Sequence, residues 1–283
     1  MDGIIIINKE KNWTSNDIVQ KLKHTFHEKT GHTGTLDPLA TGVLPILVGK
    51  GTSLSKYLVN HDKEYIATIR LGEKTSTGDQ EGEIIEKKPV TDDMFDAENV
   101  RKVLSEFKGK QNQIPPMYSA IKVNGKKLYE YARSGKKVEI EPREIEIFDI
   151  DLISISKDMK EIVYKVWCSK GTYIRSLCVD IAKKLGYPGH MSHLERRQAG
   201  RFLITDCITL EQLENDDYSL HSIDDALCGF PQLKLDDPTP VYHGKQIKSD
   251  LTGQVAIYDN QNRLLAIYES TGQGYLKNVR GLW

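Results

Sequence analysis

No apolar run in this 283-residue chain approaches the roughly 20 residues that a membrane span requires. The opening stretch MDGIIIINKEKNW is too short in its apolar part, and too acidic ahead of it, to read as a secretory signal. A soluble, intracellular and cytoplasmic protein is therefore expected. Cysteine is scarce: Cys168, Cys178, Cys207 and Cys228 form no CxxC pair, which argues against a zinc site or disulfide framework and fits reduced thiols. No Walker loop occurs, because GHTGTLDPLATG lacks the GK[ST] ending and the GEKT string at 72–75 lacks its upstream glycine. No Gly-x-Ser-x-Gly elbow is present. His190 and His193 form an HxxH without the glutamate of a zinc protease, so neither metal nor cofactor is expected. Internal repeats and low-complexity segments are also missing.

An excess of one charge is absent as well: 39 Lys+Arg stand against 40 Asp+Glu, a formal net charge of −1. The distribution is uneven, however. Residues 101–143 carry 11 basic and 4 acidic side chains, a local net of +7. Residues 206–237 carry 9 acidic side chains and 1 lysine, a local net of −8. Such segregation lets one face attract a polyanion while the whole stays near neutral. Two solvated surfaces of opposite sign would produce the same counts.

Hydrophobic residues make up 39% of the chain, enough to fill one large core or two smaller ones. Residues 3–7 read as a buried strand. TSNDIVQKLKHTF reads as a helix capped by Thr14 or Ser15, with Ile18, Leu22 and Phe26 at helical spacing. VLPILVG predicts a strand, TSLSKYLVN a short helix, and KEYIATIRLGE a strand with Tyr65, Ala67, Ile69 and Leu71 on one face. TSTGDQEG reads as a polar turn, and the spacing over 92–109 predicts a capped helix ending at Gly109. Strands are expected at 143–156, 161–171 and 193–202, and a helix over 171–186. Short capped helices are expected at Thr209–Leu213 and Ser222–Leu227. Beyond a proline-punctuated acidic linker, residues 253–270 read as a hairpin turning at Asp259–Asn262. Hairpin signals outnumber any βαβ rhythm, so the fold class is α+β.

Two segments stand out. In GHTGTLDPLATGVLP (31–45) a lone acid, Asp37, sits among Gly, Thr and apolar residues, held extended by the following proline. A glycine-rich turn whose Asp bonds its own backbone is the plain reading. The nearest titratable side chain is His32. Possible helpers elsewhere are Tyr65, Tyr173 and Arg175, since an Arg keeps a neighbouring carboxylate ionised and oriented. In QIPPMYSAIKVNGKKLYEYARSGKKVEI (113–140) Tyr118, Tyr129 and Tyr131 alternate with Lys122, Lys126, Lys127 and Arg133 around an Asn124–Gly125 turn. That mixture suits phosphate contact with base stacking, although a small amphipathic helix would explain part of it.

Taken together, these stretches resemble the TruB family of bacterial tRNA pseudouridine-55 synthases. GHTGTLDPLATGVLPI resembles its signature loop and NKEKNWTSNDIV its first motif. DKEYIATIRLGEKTSTGDQEG resembles its tyrosine motif and the 113–135 stretch its RNA-gripping insertion. GTYIRSL and HLERRQAGRF resemble its late active-site motifs. The order is kept over about residues 1–230. The resemblance implies a pseudouridine synthase fold: a mixed, mainly antiparallel sheet flanked by helices and loops. The expected organisation is a catalytic domain at 1–232 with a clamp insertion at about 108–143, then a PUA-like RNA-binding module at 233–283.

The same resemblance makes Asp37 the catalytic residue and Arg175 its cation. Tyr65, grouped with them as catalytic, stacks on the flipped base, and His32, Tyr173 and Leu194 contact substrate. Lys122, Lys126, Lys127 and Arg133 belong to the clamp. The implied reaction isomerises uridine 55 in the T loop of tRNA, without metal, by attack of Asp37 on C1′ or by abstraction of the 2′-proton. The apolar setting of the loop is expected to strip water from Asp37. The tRNA T stem-loop is the expected partner, and a monomer is expected. Competing readings are a non-catalytic tRNA-binding or tRNA-folding protein on the same scaffold, and a synthase for another RNA. Asp37 and Arg175, which a binding protein need not keep, favour the enzyme.

Overall fold

The structure is a computed structural model describing residues 2–58, 62–91, 95–136, 138–227 and 229–282. Val59 and Asn60 of one expected helix, Asp92–Met94 of another, Cys228 and Trp283 lie outside the described residues. The chain opens with β1 (Gly3–Lys9), α1 (Ser15–Phe26), β2 (Thr30–His32) and β3 (Thr41–Val48). β1 runs antiparallel to β3, with Ile4 opposite Leu47 and Ile6 opposite Pro45. Its four consecutive isoleucines are all buried because both faces are covered. Ile5 and Ile7 face the main core with Ile18 and Leu22 of α1. Ile4 and Ile6 face a second cluster with Ala256, Tyr258, Ile267 and Leu282 from the C-terminal sheet. Thr14 is the N-cap of α1: its hydroxyl accepts from the Asp17 N–H at 3.1 Å, and Asp17 accepts from the Thr14 N–H at 2.8 Å.

After α2 (Ser55–Leu58) come β4 (Lys63–Leu71) and a hairpin of β5 (Glu73–Thr75) and β6 (Ile84–Lys87). α3 (Ala97–Ser105) is capped by Asp96 and stops before Gly109. At φ +98° that glycine opens β7 (Gly109–Gln113) rather than closing the helix. The insertion holds β8 (Lys122–Val123), β9 (Lys126–Lys127) and α4 (Leu128–Arg133). Asn124 and Gly125, at φ 49° and 80°, form the tight turn that their dipeptide predicts. β10 (Arg143–Ser156), β11 (Glu161–Cys168), α5 (Ile174–Lys184), β12 (Gly189–Ala199) and β13 (Phe202–Leu203) follow, then α6 (Leu210–Glu214) and α7 (Ile223–Ala226).

The main sheet is ordered β1-β3-β12-β4-β11-β10-β7. Neighbours along it are antiparallel except at β12–β3, where Glu195 lies opposite Thr41 and Arg196 opposite Gly42. This contact places the loop entering β3 beside residues 194–196 of β12, and so beside the start of β4. The fold is α+β, in line with the alternation read from the sequence.

The C-terminal part comprises β14 (Gln232–Leu235), α8 (Thr239–Tyr242), β15 (Ile247–Lys248), β16 (Gln254–Asp259), β17 (Leu264–Ser270) and β18 (Tyr275–Gly281). They build a five-stranded sheet in the order β14-β16-β17-β18-β15. The β16–β17 turn is held by Asp259, whose Oδ1 accepts from the N–H groups of Gln261 and Arg263 at 2.9 and 2.8 Å. Val255, Ile257, Tyr268 and Leu276 form a core on one face, while the other face closes over β1 and β3. Among the described residues no helix is long and apolar enough to cross a membrane.

Candidate active site

The acidic loop is fixed from both sides of Asp37. Buried Ser15, at the start of α1, accepts from the Leu36 N–H at 2.8 Å, and its hydroxyl lies 3.1 Å from the Leu36 carbonyl, to which it donates. Buried Lys9 donates from Nζ to the carbonyls of Trp13 at 2.6 Å, Glu10 at 2.9 Å and Pro38 at 3.3 Å. Burial pushes the Lys9 ammonium down to about 8, opposed by the charge of Asp37. Of the loop glycines, Gly42 is the one the geometry demands: at φ +100° a Cβ there would sit 2.2 Å from the Arg196 carbonyl oxygen. Gly31 has open space around its Cβ direction.

Leu36 and Leu39 turn into the core, and Asp37 points the other way. Its side chain keeps 37% of its exposure. The carboxylate is therefore not stripped of water, as the apolar composition of the loop suggests; the apolar neighbours serve the core, and the acid faces an open pocket. Arg175, buried in the first turn of α5, donates from Nη2 to Asp37 Oδ2 at 2.6 Å. The same guanidinium donates to the carbonyls of Tyr118 at 3.2 Å and Thr77 at 3.3 Å, and its Nε lies 3.3 Å from Asp79 Oδ2. Arg175 thus ties the acidic loop, the segment around Tyr118 and the β5–β6 turn together.

The pocket holds about 560 Å³ and its walls include Asp37, Tyr65, Tyr173, Arg175 and Leu194, five of the residues singled out in the sequence. Tyr65 is buried on β4, and burial raises its phenol above the ordinary range. Tyr173 caps α5; its N–H donates to Gln113 Oε1 at 2.8 Å, and Gln113 Nε2 donates back to its carbonyl at 3.0 Å. Burial raises the Tyr173 phenol too. Leu194, on β12, lies opposite Ala67 of β4.

His32 is not among the residues lining this pocket. It sits on β2 opposite Ile46, with Nδ1 buried and without a hydrogen-bond partner among the described residues, and burial lowers its ring below the usual histidine range. Lys122, Lys126, Lys127 and Arg133 also stand off the pocket, on the β8–β9 hairpin and α4. Lys127 and Arg133 flank the Tyr129 ring, at 5.3 and 5.4 Å from its centroid, and Tyr131 donates its hydroxyl to the Val123 carbonyl. The aromatic residues there partly brace the insertion itself.

Sequence reasoning missed Asp79, Ser15, Lys9, Gln113, Lys63, Arg143, Lys170 and Arg196. Asp79 had a usable signal: it follows Gly78 in a Thr-rich turn, much as Asp37 follows Gly34 and Thr35. It is 5% exposed and bonds Thr77 Oγ1 at 2.6 Å. The others gave none, because ordinary polar residues acquire their roles only through the sheet order. Ser15→Ala is expected to cost about 1–3 kcal/mol by orphaning the buried Leu36 N–H. Urea unfolding measures this.

Residues 21–174 match the family description "TruB family pseudouridylate synthase (N terminal domain)", and residues 175–230 match "tRNA pseudouridylate synthase B C-terminal domain". The chain is 45% identical over 279 residues to the tRNA pseudouridine synthase B of Francisella tularensis subsp. novicida (strain U112), covering 95% of this chain and 91% of that protein. The same-named protein of Francisella philomiragia is 44% identical over the same shares. A solved Cbf5–Nop10–Gar1 complex superposes with a TM-score of 0.74 over 99% of this chain and 85% of that one, at 24% identity, a likeness of fold.

Proposed function

Since the chain belongs to the TruB family of pseudouridylate synthases, we propose that it isomerises uridine 55 in the T loop of tRNA to pseudouridine, with Asp37 as the catalytic residue. The observation that carries this reading is Asp37 itself: a carboxylate open to a roomy pocket, aimed by a buried arginine 2.6 Å away, beside a tyrosine ring. The reaction breaks the N1–C1′ bond, turns the base, and joins C5 to C1′. A carboxylate can serve it as nucleophile at C1′ or as base toward the 2′-proton. A uridine stacked within an RNA loop must be extruded before a pocket can take it. Tyr65 would then stack on the flipped base, with Tyr173 and Leu194 against its other sides. His32, outside the pocket wall, would face the remaining RNA loop. The catalytic unit is taken as residues 1–232 with its clamp, the PUA-like module as 233–283, and the working form as a cytoplasmic monomer.

The deciding experiment is release of the C5 hydrogen from uridine-labelled tRNA incubated with the purified protein. C5 exchanges its hydrogen for a carbon bond, so release reports the isomerisation itself. Full binding without release would leave only a tRNA-binding protein. Replacing Lys122, Lys126 and Lys127 together by Gln is expected to weaken tRNA binding and flatten its salt dependence, by about 0.9 released ions per lost duplex phosphate contact. An unchanged slope of log affinity against log salt would turn this hairpin away from the RNA.

A further inference from the structure

One wall of the catalytic pocket is cationic in a way the reaction at Asp37 does not use. Lys63 opens β4 two residues before Tyr65, in register with Cys168 of β11 and Ala199 of β12. Lys170 follows β11, and Arg196 lies on β12 opposite Tyr65. All three line the same pocket as Asp37. Arg196 is 1% exposed; its Nε donates to the Val43 carbonyl at 2.7 Å and its Nη2 to the Gly34 carbonyl at 3.1 Å. Lys63 and Arg196 converge on the same backbone: a Cβ at Gly34 would lie 3.6 Å from Arg196 Nη1 and 3.8 Å from Lys63 Cε. Gly34 is three residues from Asp37, so the cations border the place where the reacting nucleotide would sit.

Resting on the RNA reading above, we propose that Lys63 and Lys170, with the buried charge of Arg196 behind them, seat a backbone phosphodiester next to the extruded uridine. Three cations gathered along one pocket wall, one of them buried, repel one another and favour an anion. A phosphodiester supplies charge and acceptor oxygens without a proton to lose near neutral pH. The state of Lys63 agrees: burial, together with the charges of Arg196 and Lys170, pushes its ammonium down to about 8. The other groups facing it are Cys168 and Asp62, both of which oppose the shift. A bound phosphodiester would raise the ammonium again. The wild-type affinity for RNA should then weaken as pH climbs through 8, because the free protein loses the proton that the complex retains.

The test uses the full chain and a T-arm hairpin, with either native linkages or a single uncharged methylphosphonate beside the target uridine, placed 5′ or 3′ in separate molecules. Fluorescence anisotropy gives Kd, and thermal melting checks each variant. Wild-type binding and pseudouridine formation on the native hairpin are measured first; if both fail, the RNA reading falls and not merely this subsite. Lys63→Gln is expected to weaken binding of the native hairpin about tenfold, the scale of one charge-assisted hydrogen bond. One of the two methylphosphonate hairpins should show a similar loss with wild-type protein and little further loss with Lys63→Gln. Lys63→Arg should keep tight binding and remove a severalfold weakening between pH 7 and 9. The proposal is overturned if the Lys63→Gln loss is the same on all three hairpins, or if Lys63→Arg retains the wild-type pH dependence.

Discussion

Asp37→Asn is expected to lower turnover by about 10³-fold or more while leaving RNA affinity within a few-fold of wild type. The amide keeps the size and planarity of the carboxylate, and its oxygen can still accept from Arg175 Nη2, now at 2.6 Å from Asp37 Oδ2. What it loses is the charge, and with it both the nucleophile and the base. The fold should barely register the change. The side chain faces the pocket, and Arg175 keeps Asp79 and the carbonyls of Thr77 and Tyr118 as partners. The measurement is single-turnover release of the C5 hydrogen at saturating RNA, with melting temperature and Kd as controls. Near-normal turnover, once mass spectrometry has excluded deamidation back to Asp, would remove Asp37 from the chemistry.

Local signals survived from sequence into structure where the residues themselves enforce the conformation. The Thr14 cap, the Asn124–Gly125 turn and the alternation of Tyr65, Ala67, Ile69 and Leu71 depend on near neighbours. Short strands such as β2, β7 and β15 left no pattern, because a two- to five-residue strand at a sheet edge needs only a neighbour with open hydrogen bonds. Gly109 shows the same limit: a glycine after a helical stretch reads as a stop, yet it serves the bend into β7. The Asp37 loop was legible as an anomaly, a lone acid among apolar residues. Its partners were not, since the Asp37–Arg175 contact spans 138 positions and rests on the parallel meeting of β12 with β3.

The C-terminal sheet carries a related lesson. The sequence shows a compact β segment after an acidic linker, which suggests a removable unit. Ala256, Tyr258, Ile267 and Leu282 instead complete the cluster over Ile4, Ile6, Val43 and Leu47, and Tyr258 donates to Asp224 at 2.7 Å. The isoleucine run of β1 explains why: an apolar strand with no polar face needs cover on both sides. Cutting before residue 233 would expose one side of the strand pair that carries the Asp37 loop into the sheet. A loss of activity on such a cut would therefore report the catalytic scaffold as much as any lost RNA contact.

Arg175→Met is expected to strike both activity and stability, and the two effects can be separated. The guanidinium lies between two carboxylates in different surroundings: the Asp37 side chain is 37% exposed and that of Asp79 is 7% exposed. With the arginine gone, Asp37 can draw water from the pocket, whereas the buried Asp79 carboxylate keeps the Thr77 hydroxyl and the Glu81 N–H as its partners among the described residues. Removing one partner of a buried pair costs about 3–5 kcal/mol, so the melting temperature should fall clearly. Asp79→Asn in the same chain removes the stranded charge and should recover more than half of that stability. It should recover no turnover, because the missing cation at Asp37 is untouched. Melting curves and single-turnover rates on the two variants decide the matter. If turnover returns together with stability in the double variant, Arg175 serves the scaffold alone, and Asp37 needs no cation to act.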